Sequence, residues 1–234
     1  MNYDPAFTYE LAVIIQEGIR RMYQDQENIF YYITVTNENY KMPVIPKGDH
    51  IIEGILKGIY CFKRSTMKPT AKRKAHLFGS GAIMTQVLSA QKKLEDYGVC
   101  ADVWSVTSYS EINRDALDVE RWNMLNPDKK EKQPYIDRLL QKEKGVFVAT
   151  SDYMKALPNS IKPWIPHHFI ALGTDGYGLS ETRSSLRTYF EVSSNYIVWA
   201  VLTALYKEQK IKANLLKRAK TELEIDSTKK NPMH

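Results

Sequence analysis

Two absences narrow the chain before any motif does. No apolar run approaches the ~20 residues that a membrane-spanning helix needs, and only two cysteines are present. The first excludes a helical membrane anchor. The N-terminus also lacks the basic-then-apolar layout of a secretory signal, so the expected location is cytoplasmic. Cys61 and Cys100 lie far apart in strand-like stretches and are expected to be small buried thiols, not a disulfide or a metal pair. No Gly-x-Ser-x-Gly elbow occurs and no cysteine sits in a basic setting near histidine, which removes the common nucleophilic hydrolases. Ligand-spaced histidines are missing as well. His167 and His168 are adjacent at the start of a strand and point to opposite faces, while His50, His76 and His234 stand alone.

The charge balance is basic, +6, with the excess at Lys63-Arg64, Lys68, Lys72-Arg73-Lys74 and, near the C-terminus, Lys210, Lys212, Lys217, Arg218 and Lys220. These clusters carry neither interleaved aromatics nor a recognisable reading module, and 27 acidic residues are spread through the chain. They are expected to be solvated surface, with neither nucleic acid nor membrane as a partner.

What is present organises around one stretch, His168 to Glu181. Phe169 to Leu172 is an apolar run too short for a helix and reads as a strand covered on both faces. Gly173, Gly176 and Gly178 follow where the chain must turn. Ser180 and Glu181 are placed to cap and charge a helix reaching about Phe190. In open α/β sheets such loops, at the carboxyl ends of strands, are where ligands and functional contacts gather.

Upstream, Asp4-Pro5 opens a helix to about residue 24, with Phe7, Leu11, Ile14, Ile15, Gly18, Ile19 and Met22 on one face. Ile29 to Val35 reads as a strand apolar on both faces. These two elements cannot cover each other, so the unit is expected to lack partner strands lying before Met1. Asn37 to Gly48, with two prolines and a glycine, reads as a linker. Beyond it come a helix at 49–57, strands at 58–63 and 76–78, an exposed basic loop at 65–73, and a helix carrying Ile83, Val87, Ala90 and Leu94. A strand at 99–106, a helix at 110–124, a strand at 146–150 and a proline-broken helix at 152–165 lead to the central stretch. A helix capped by Ser193 or Ser194 and another at 211–223 close the chain. Strands alternating with helices imply crossovers, hence a three-layer α/β sandwich with a mainly parallel, mixed sheet. The expected division is 1–45, the end of one domain plus linker, and 46–234, a complete domain.

Three constellations invite chemistry and none assembles a site. Gly79-Ser80-Gly81 follows a strand, but Met84 stands where a dinucleotide fingerprint needs its third glycine, so turn geometry accounts for it. Thr174-Asp175-Gly176 is similar to the start of the Gly-Asp-Gly motif that binds magnesium and thiamin diphosphate. It has Thr where the motif has Gly, and its only nearby downstream Asn, Asn195, falls at a helix start. Glu111, Asp115, Asp118 and Glu120 with Arg114 and Arg121 make a charged helix explained by pairs three and four residues apart. No catalytic, cofactor-binding or metal residue is assigned.

Seven runs, in order, carry a family resemblance: Tyr31-Tyr32-Ile33-Thr34, Asn37 to Pro43, Leu77 to Gly81, Val106 to Tyr109, Glu120 to Asn123, Ser151 to Met154 and Gly173 to Gly178. Together the chain resembles the C-terminal part of the homodimeric bacterial pyruvate dehydrogenases, the decarboxylating first component, within the transketolase-like superfamily. The resemblance implies the end of a middle domain followed by a transketolase-like C-terminal domain. It also implies thiamin diphosphate and magnesium in the full enzyme, held by parts outside this chain, with none bound by this chain alone. The partners it implies are the remainder of the enzyme, a second subunit and a lipoyl-bearing acetyltransferase. On the same footing Asn37, Glu38, Asn39 and Tyr40 of the linker and Thr174, Asp175, Gly176 and Tyr177 of the glycine loop are expected to contact neighbouring domains.

Overall fold

The computed structural model describes residues 1–67 and 73–233. Five strands form the central sheet: β3 (Ile59–Lys63), β4 (Lys74–Gly79), β5 (Cys100–Val106), β6 (Val146–Thr150) and β7 (Phe169–Leu172). Their order is β3-β5-β4-β6-β7, parallel except for the antiparallel edge pair β3 with β5. Alternation along the strands sends Ala75, Leu77, Ala101 and Val103 into one apolar layer and Phe78, Trp104, Phe147 and Ala149 into the other. The first layer is closed by α3 (Met84–Asp96), α8 (Ser194–Lys207) and α9 (Ala213–Glu222). The second is closed by α4 (Tyr109–Leu125) and α5 (Tyr135–Leu140), the three-layer sandwich expected.

Several boundaries differ from the sequence reading, each for a local reason. The first helix, α1, runs Thr8–Ile19 and widens into a π-helical turn over Arg20–Gln24, with Phe7, not Asp4-Pro5, at its N-cap. Asp4 is drawn away by the sheet edge: its N–H donates to Thr107 O (2.7 Å) and its carbonyl accepts from Gly81 N (3.1 Å). Within the 29–35 run only β2 (Tyr32–Ile33) is strand, and it pairs in parallel with β1 (Asn2–Tyr3), so one partner of that strand lies within the chain. The 49–57 helix, α2 (Asp49–Lys57), is as expected. The 152–165 segment breaks at its prolines into α6 (Ala156–Asn159) and a 3-10 turn, Lys162–Trp164. Thr182, not Ser180 or Glu181, caps α7 (Arg183–Tyr189) through Ser185 N. α5, only six residues long, had no legible period. Part of the expected 65–73 loop, including Lys68 and Lys72, lies outside the described residues. Cys61 and Cys100 are both free, and burial pushes the Cys61 thiol up to about 12.

The N-terminal segment is joined to the sheet by one buried carboxylate. Glu10 is fully buried, and its Oε2 accepts from Ala6 N (2.6 Å) and Phe7 N (3.0 Å), which supplies the cap that Phe7's own side chain cannot. Oε1 accepts from the Tyr60 hydroxyl on β3 (2.6 Å) and the Ser105 hydroxyl on β5 (2.6 Å). The Tyr9 hydroxyl, 2.5 Å from that of Tyr60, extends the network. Burial raises the pKa of Glu10 above the ordinary carboxylate value, and the four donors, Ser105 first, oppose it.

Truncating Glu10 strands Ala6 N, Phe7 N and the Ser105 hydroxyl and leaves the Tyr60 hydroxyl with Tyr9 alone. Each unsatisfied buried group costs about 1–3 kcal/mol, so Glu10→Ala should lose on the order of 3 kcal/mol or more of stability in urea unfolding. Glu10→Gln should lose less than half of that, because its carbonyl can keep the two backbone donors while its amide donates to hydroxyls that can rotate. Equal losses for the two variants would show that the network is not what joins segment to sheet.

Candidate functional site at the carboxyl edge of the sheet

The chain leaves β4 toward β5 on one side, whereas β6 lies on the other side of β4. The carboxyl ends of β4 and β6 therefore flank a topological switch point, the position where α/β sheets open a ligand crevice. Gly79-Ser80-Gly81 and Thr150-Ser151-Asp152 meet there. Part of the crevice is filled from within by Asp4, whose carboxylate accepts from the Thr34 hydroxyl (2.7 Å) and presses on Gly81, where an added Cβ would come within 2.8 Å of Asp4 Oδ1. The Gly79-to-Gly81 turn is thus occupied by the chain's own backbone.

Beside this strap lies a cavity of about 520 Å³. The 35–38 stretch forms one wall, the 174–183 loop and α7 form the other, and Asp152 lies between them. The structure therefore brings the linker and the glycine loop to one place. Glu38 and Arg187 form a two-pronged ion pair, 2.5 and 3.0 Å, with both side chains largely out of solvent. Arg183 donates to Asn37 Oδ1 (2.5 Å) and lies 3.7 Å from Glu38, with its side chain half exposed. Asp152 is solvent-exposed at the cleft and has no hydrogen-bond or ion-pair partner among the described residues. Protein crowding nevertheless pushes its carboxyl up to about 6, with burial the main cause; Arg187 opposes it, and Asp4 and Glu38 add repulsion.

Of the eight loop and linker residues singled out from the sequence, several are engaged inward. Tyr40 donates to Ala6 O, and Thr174 N donates to Tyr153 O. Asp175 accepts from Lys155 N (2.8 Å) and pairs with Lys155 Nζ (3.0 Å), which holds its pKa below the usual value. Gly173 lies so close to Tyr153 O that a Cβ would come within 2.5 Å, and Gly176 has φ +83°, whereas Gly178 meets nothing. Asn39, Gly176 and Tyr177 face outward, Tyr177 being 93% exposed.

Neither magnesium nor a diphosphate fits the Thr174-Asp175-Gly176 turn. Asp175 is taken by Lys155, while Asn195 accepts from Lys93 (2.6 Å) and donates to Leu223 O (3.1 Å) at the start of another helix. A second cluster escaped the sequence reading: His76, Asp102 and Glu143, whose ligand-type atoms lie within 4.8 Å of one another although the residues come from separate segments. It is already neutralised. Arg64 reaches Asp102 (2.8 Å) and Glu143 (2.7 Å), and Lys74 reaches the same two carboxylates (3.3 and 2.9 Å). His76 accepts from Trp104 Nε1 through Nδ1 (3.1 Å), lies 3.2 Å from Lys144 O through Nε2, and is pushed by burial down to about 4. Both ring nitrogens are engaged and both carboxylates are paired, as in a structural ion cluster. Arg64 and Lys74 therefore depart from the expectation of plain solvated surface. On α4 the expected pair Glu111 with Arg114 forms, but Asp115 accepts from Tyr135 N and Glu120 from Trp164 Nε1, which ties the helix to its neighbours.

Known proteins share this layout. A family model described as the transketolase-like TK C-terminal domain matches residues 58–193, more than half of the chain. The chain belongs to this family. The pyruvate dehydrogenase E1 component middle domain matches residues 1–43. Proteins named pyruvate dehydrogenase E1 component are 46% identical over 99% of the chain in Pseudomonas aeruginosa, 44% over 99% in Escherichia coli and 40% over 100% in Cupriavidus necator. The chain spans about a quarter, 26%, of the length of each. The resemblance drawn from the seven ordered runs is borne out. Among solved structures, transketolase from Leishmania mexicana superposes with a TM-score of 0.58 at 13% identity, covering 88% of this chain and 25% of that one. Transketolase from Pichia stipitis gives 0.57 at 17%, covering 89% and 25%. Both establish the fold. No helix among the described residues is long and apolar enough to cross a membrane.

Two substitutions test the cleft's electrostatics. Arg187→Met removes both short contacts of the mostly buried Glu38, leaving it only Arg183 at 3.7 Å, and should cost on the order of 2–3 kcal/mol in chemical denaturation. Asp152, at about 6 in the fold against an ordinary 3.8, holds a proton that the unfolded chain releases. Its contribution to stability is therefore complete below the ordinary value and is lost as the pH rises through 6. Asp152→Asn should accordingly be more stable than the parent at pH 7.5, with the difference vanishing toward pH 4.

Proposed function

We propose that this chain is the C-terminal portion of a pyruvate dehydrogenase E1-type enzyme, dividing near residue 45 into the end of a middle domain and a transketolase-like C-terminal domain. The observation that carries this reading is identity of 40% or more along the whole chain to proteins of that name, with the two family models in the order middle, then C-terminal. In the whole enzyme, pyruvate is decarboxylated and a lipoyl group reductively acetylated with thiamin diphosphate and magnesium, by residues outside this chain. The turn at Asp175 has the wrong partners for that metal, so no catalytic step is assigned to any residue here.

The part proposed for this chain is structural: it supports the dimer and presents a docking face to the rest of the enzyme. That role is supported by apolar surface around α1 and β2. Ile19, Tyr23, Phe30, Tyr32 and Val35 are between 54% and 77% exposed, far more than an isolated fold needs to leave in water. The linker and the glycine loop adjoin that surface, with Asn39, Gly176 and Tyr177 outward and Asn37, Glu38, Tyr40, Thr174 and Asp175 holding the backbone that presents them. The further partners are a second subunit and the lipoyl-bearing acetyltransferase of the complex.

Exchange into a relative provides the test. Replacing the matching C-terminal quarter of the Escherichia coli E1 component with this chain should give a soluble dimer that decarboxylates pyruvate in the presence of thiamin diphosphate and magnesium. The chain alone should give no heat on titration with that cofactor pair. A folded, dimeric chimera without activity, or saturable cofactor binding by the chain alone, would overturn the reading.

A further inference from the structure

The cleft beside the Asp4 strap has properties that a scaffold does not require. It sits at the switch point of the sheet, and its volume of about 520 Å³ falls in the range of small-molecule sites. Its lower wall is apolar, formed by Ala82, Leu186, Phe190 and Val192, with Phe190 and Val192 packed on Ile83 as a small separate core. That packing gives the wall a fixed shape. Its charges are unevenly satisfied. Glu38 and Arg187 neutralise one another face to face, and Lys155 does the same for Asp175, so neither pair offers a free charge. Two groups remain. Arg183 uses one guanidinium nitrogen on Asn37, and its closest approach to Glu38 is 3.7 Å, which leaves most of its five donors open. Asp152 lines the same cleft and is an acceptor without a partner among the described residues.

A cleft that balances one open cation against one open anion, above an apolar floor, selects a ligand of zero net charge carrying both signs at one end and a hydrocarbon at the other. A simple carboxylate would satisfy Arg183 but lie in one cleft with the unpaired carboxylate of Asp152. An amine would do the reverse. We propose that this cleft binds a free α-amino acid with an apolar side chain, its carboxylate on Arg183, its ammonium on Asp152 and its side chain against Leu186, Phe190 and Val192. The inference does not rest on the reading of the preceding subsection, because every group it uses lies within this chain. Asp152 is ionised above about pH 6, so the acceptor is in the required form at neutral pH.

The test is titration of the intact 234-residue chain at pH 7.5 with L-leucine, followed by backbone amide shifts in NMR and by calorimetry. 4-Methylpentanoate lacks the ammonium of leucine and isopentylamine lacks its carboxylate, so each reports one charge without any substitution in the protein. Leucine should bind with a dissociation constant on the order of 1 mM or below. Its shifts should be confined to residues 35–38, 152 and 174–192. The two analogues should bind about tenfold more weakly or worse. Asp152→Asn and Arg183→Gln should each weaken leucine binding by a similar factor while retaining the parent's circular dichroism. No saturable shift with leucine would overturn the proposal, as would 4-methylpentanoate binding as tightly as leucine, or shifts lying outside the cleft. A failed chimera with leucine binding intact, or the reverse, separates this inference from the enzyme assignment.

Discussion

Everything at the functional edge of this molecule depends on one buried carboxylate. Glu10 gathers two backbone donors from the start of α1 and two hydroxyls from β3 and β5. In doing so it fixes the N-terminal segment against the sheet, and that segment carries Asp4 into the crevice between β4 and β6. A carboxylate taken out of water is tolerable only when its lone pairs are met, and here they are met from both sides of the junction. The two parts of the chain that the family models divide are thus held by polar contacts that neither part satisfies alone.

The same logic recurs at the linker. Asn37 to Gly48 has no regular structure, yet Glu38 is clamped by Arg187 and Tyr40 bonds to Ala6 O, so a segment that composition marks as a connector is held in place. The first residues of the stretch read as a linker form part of a wall of the cleft. Asp4 and the linker between them leave the ligand-type end of the sheet partly filled by the chain itself, with a cavity beside the filling where Asp152 has no partner among the described residues and Arg183 is only partly engaged.

Charge placement separates structural clusters from chemical ones. His76, Asp102 and Glu143 have the proximity of metal ligands, but Arg64 and Lys74 supply two positive charges where an ion would sit, and Trp104 takes the histidine's free nitrogen. Asp175 likewise has the residue type of a metal ligand and the partner of a surface ion pair. In both places the neighbours decide the chemistry more than the residue type does.

The layers and strand order follow from patterns visible in the letters. Short apolar runs at 99–106, 146–150 and 169–172 can only be buried strands, periodic faces such as Val87, Ala90 and Leu94 can only be helices against them, and seven ordered runs carried the family. These features are local, since hydrophobic period and turn chemistry act over a few residues. Tertiary structure alone decided which side chains meet. Glu10 lies 95 residues from Ser105, Glu38 149 from Arg187 and His76 26 from Asp102 in its cluster, and no periodicity spans such separations. It also shifted the cap from Ser180 to Thr182 and withdrew Asp4 from the helix start, because the sheet edge offered Asp4 better partners than the helix did. Local propensity is worth about 1 kcal/mol at such positions, and a buried hydrogen bond left unmade costs more.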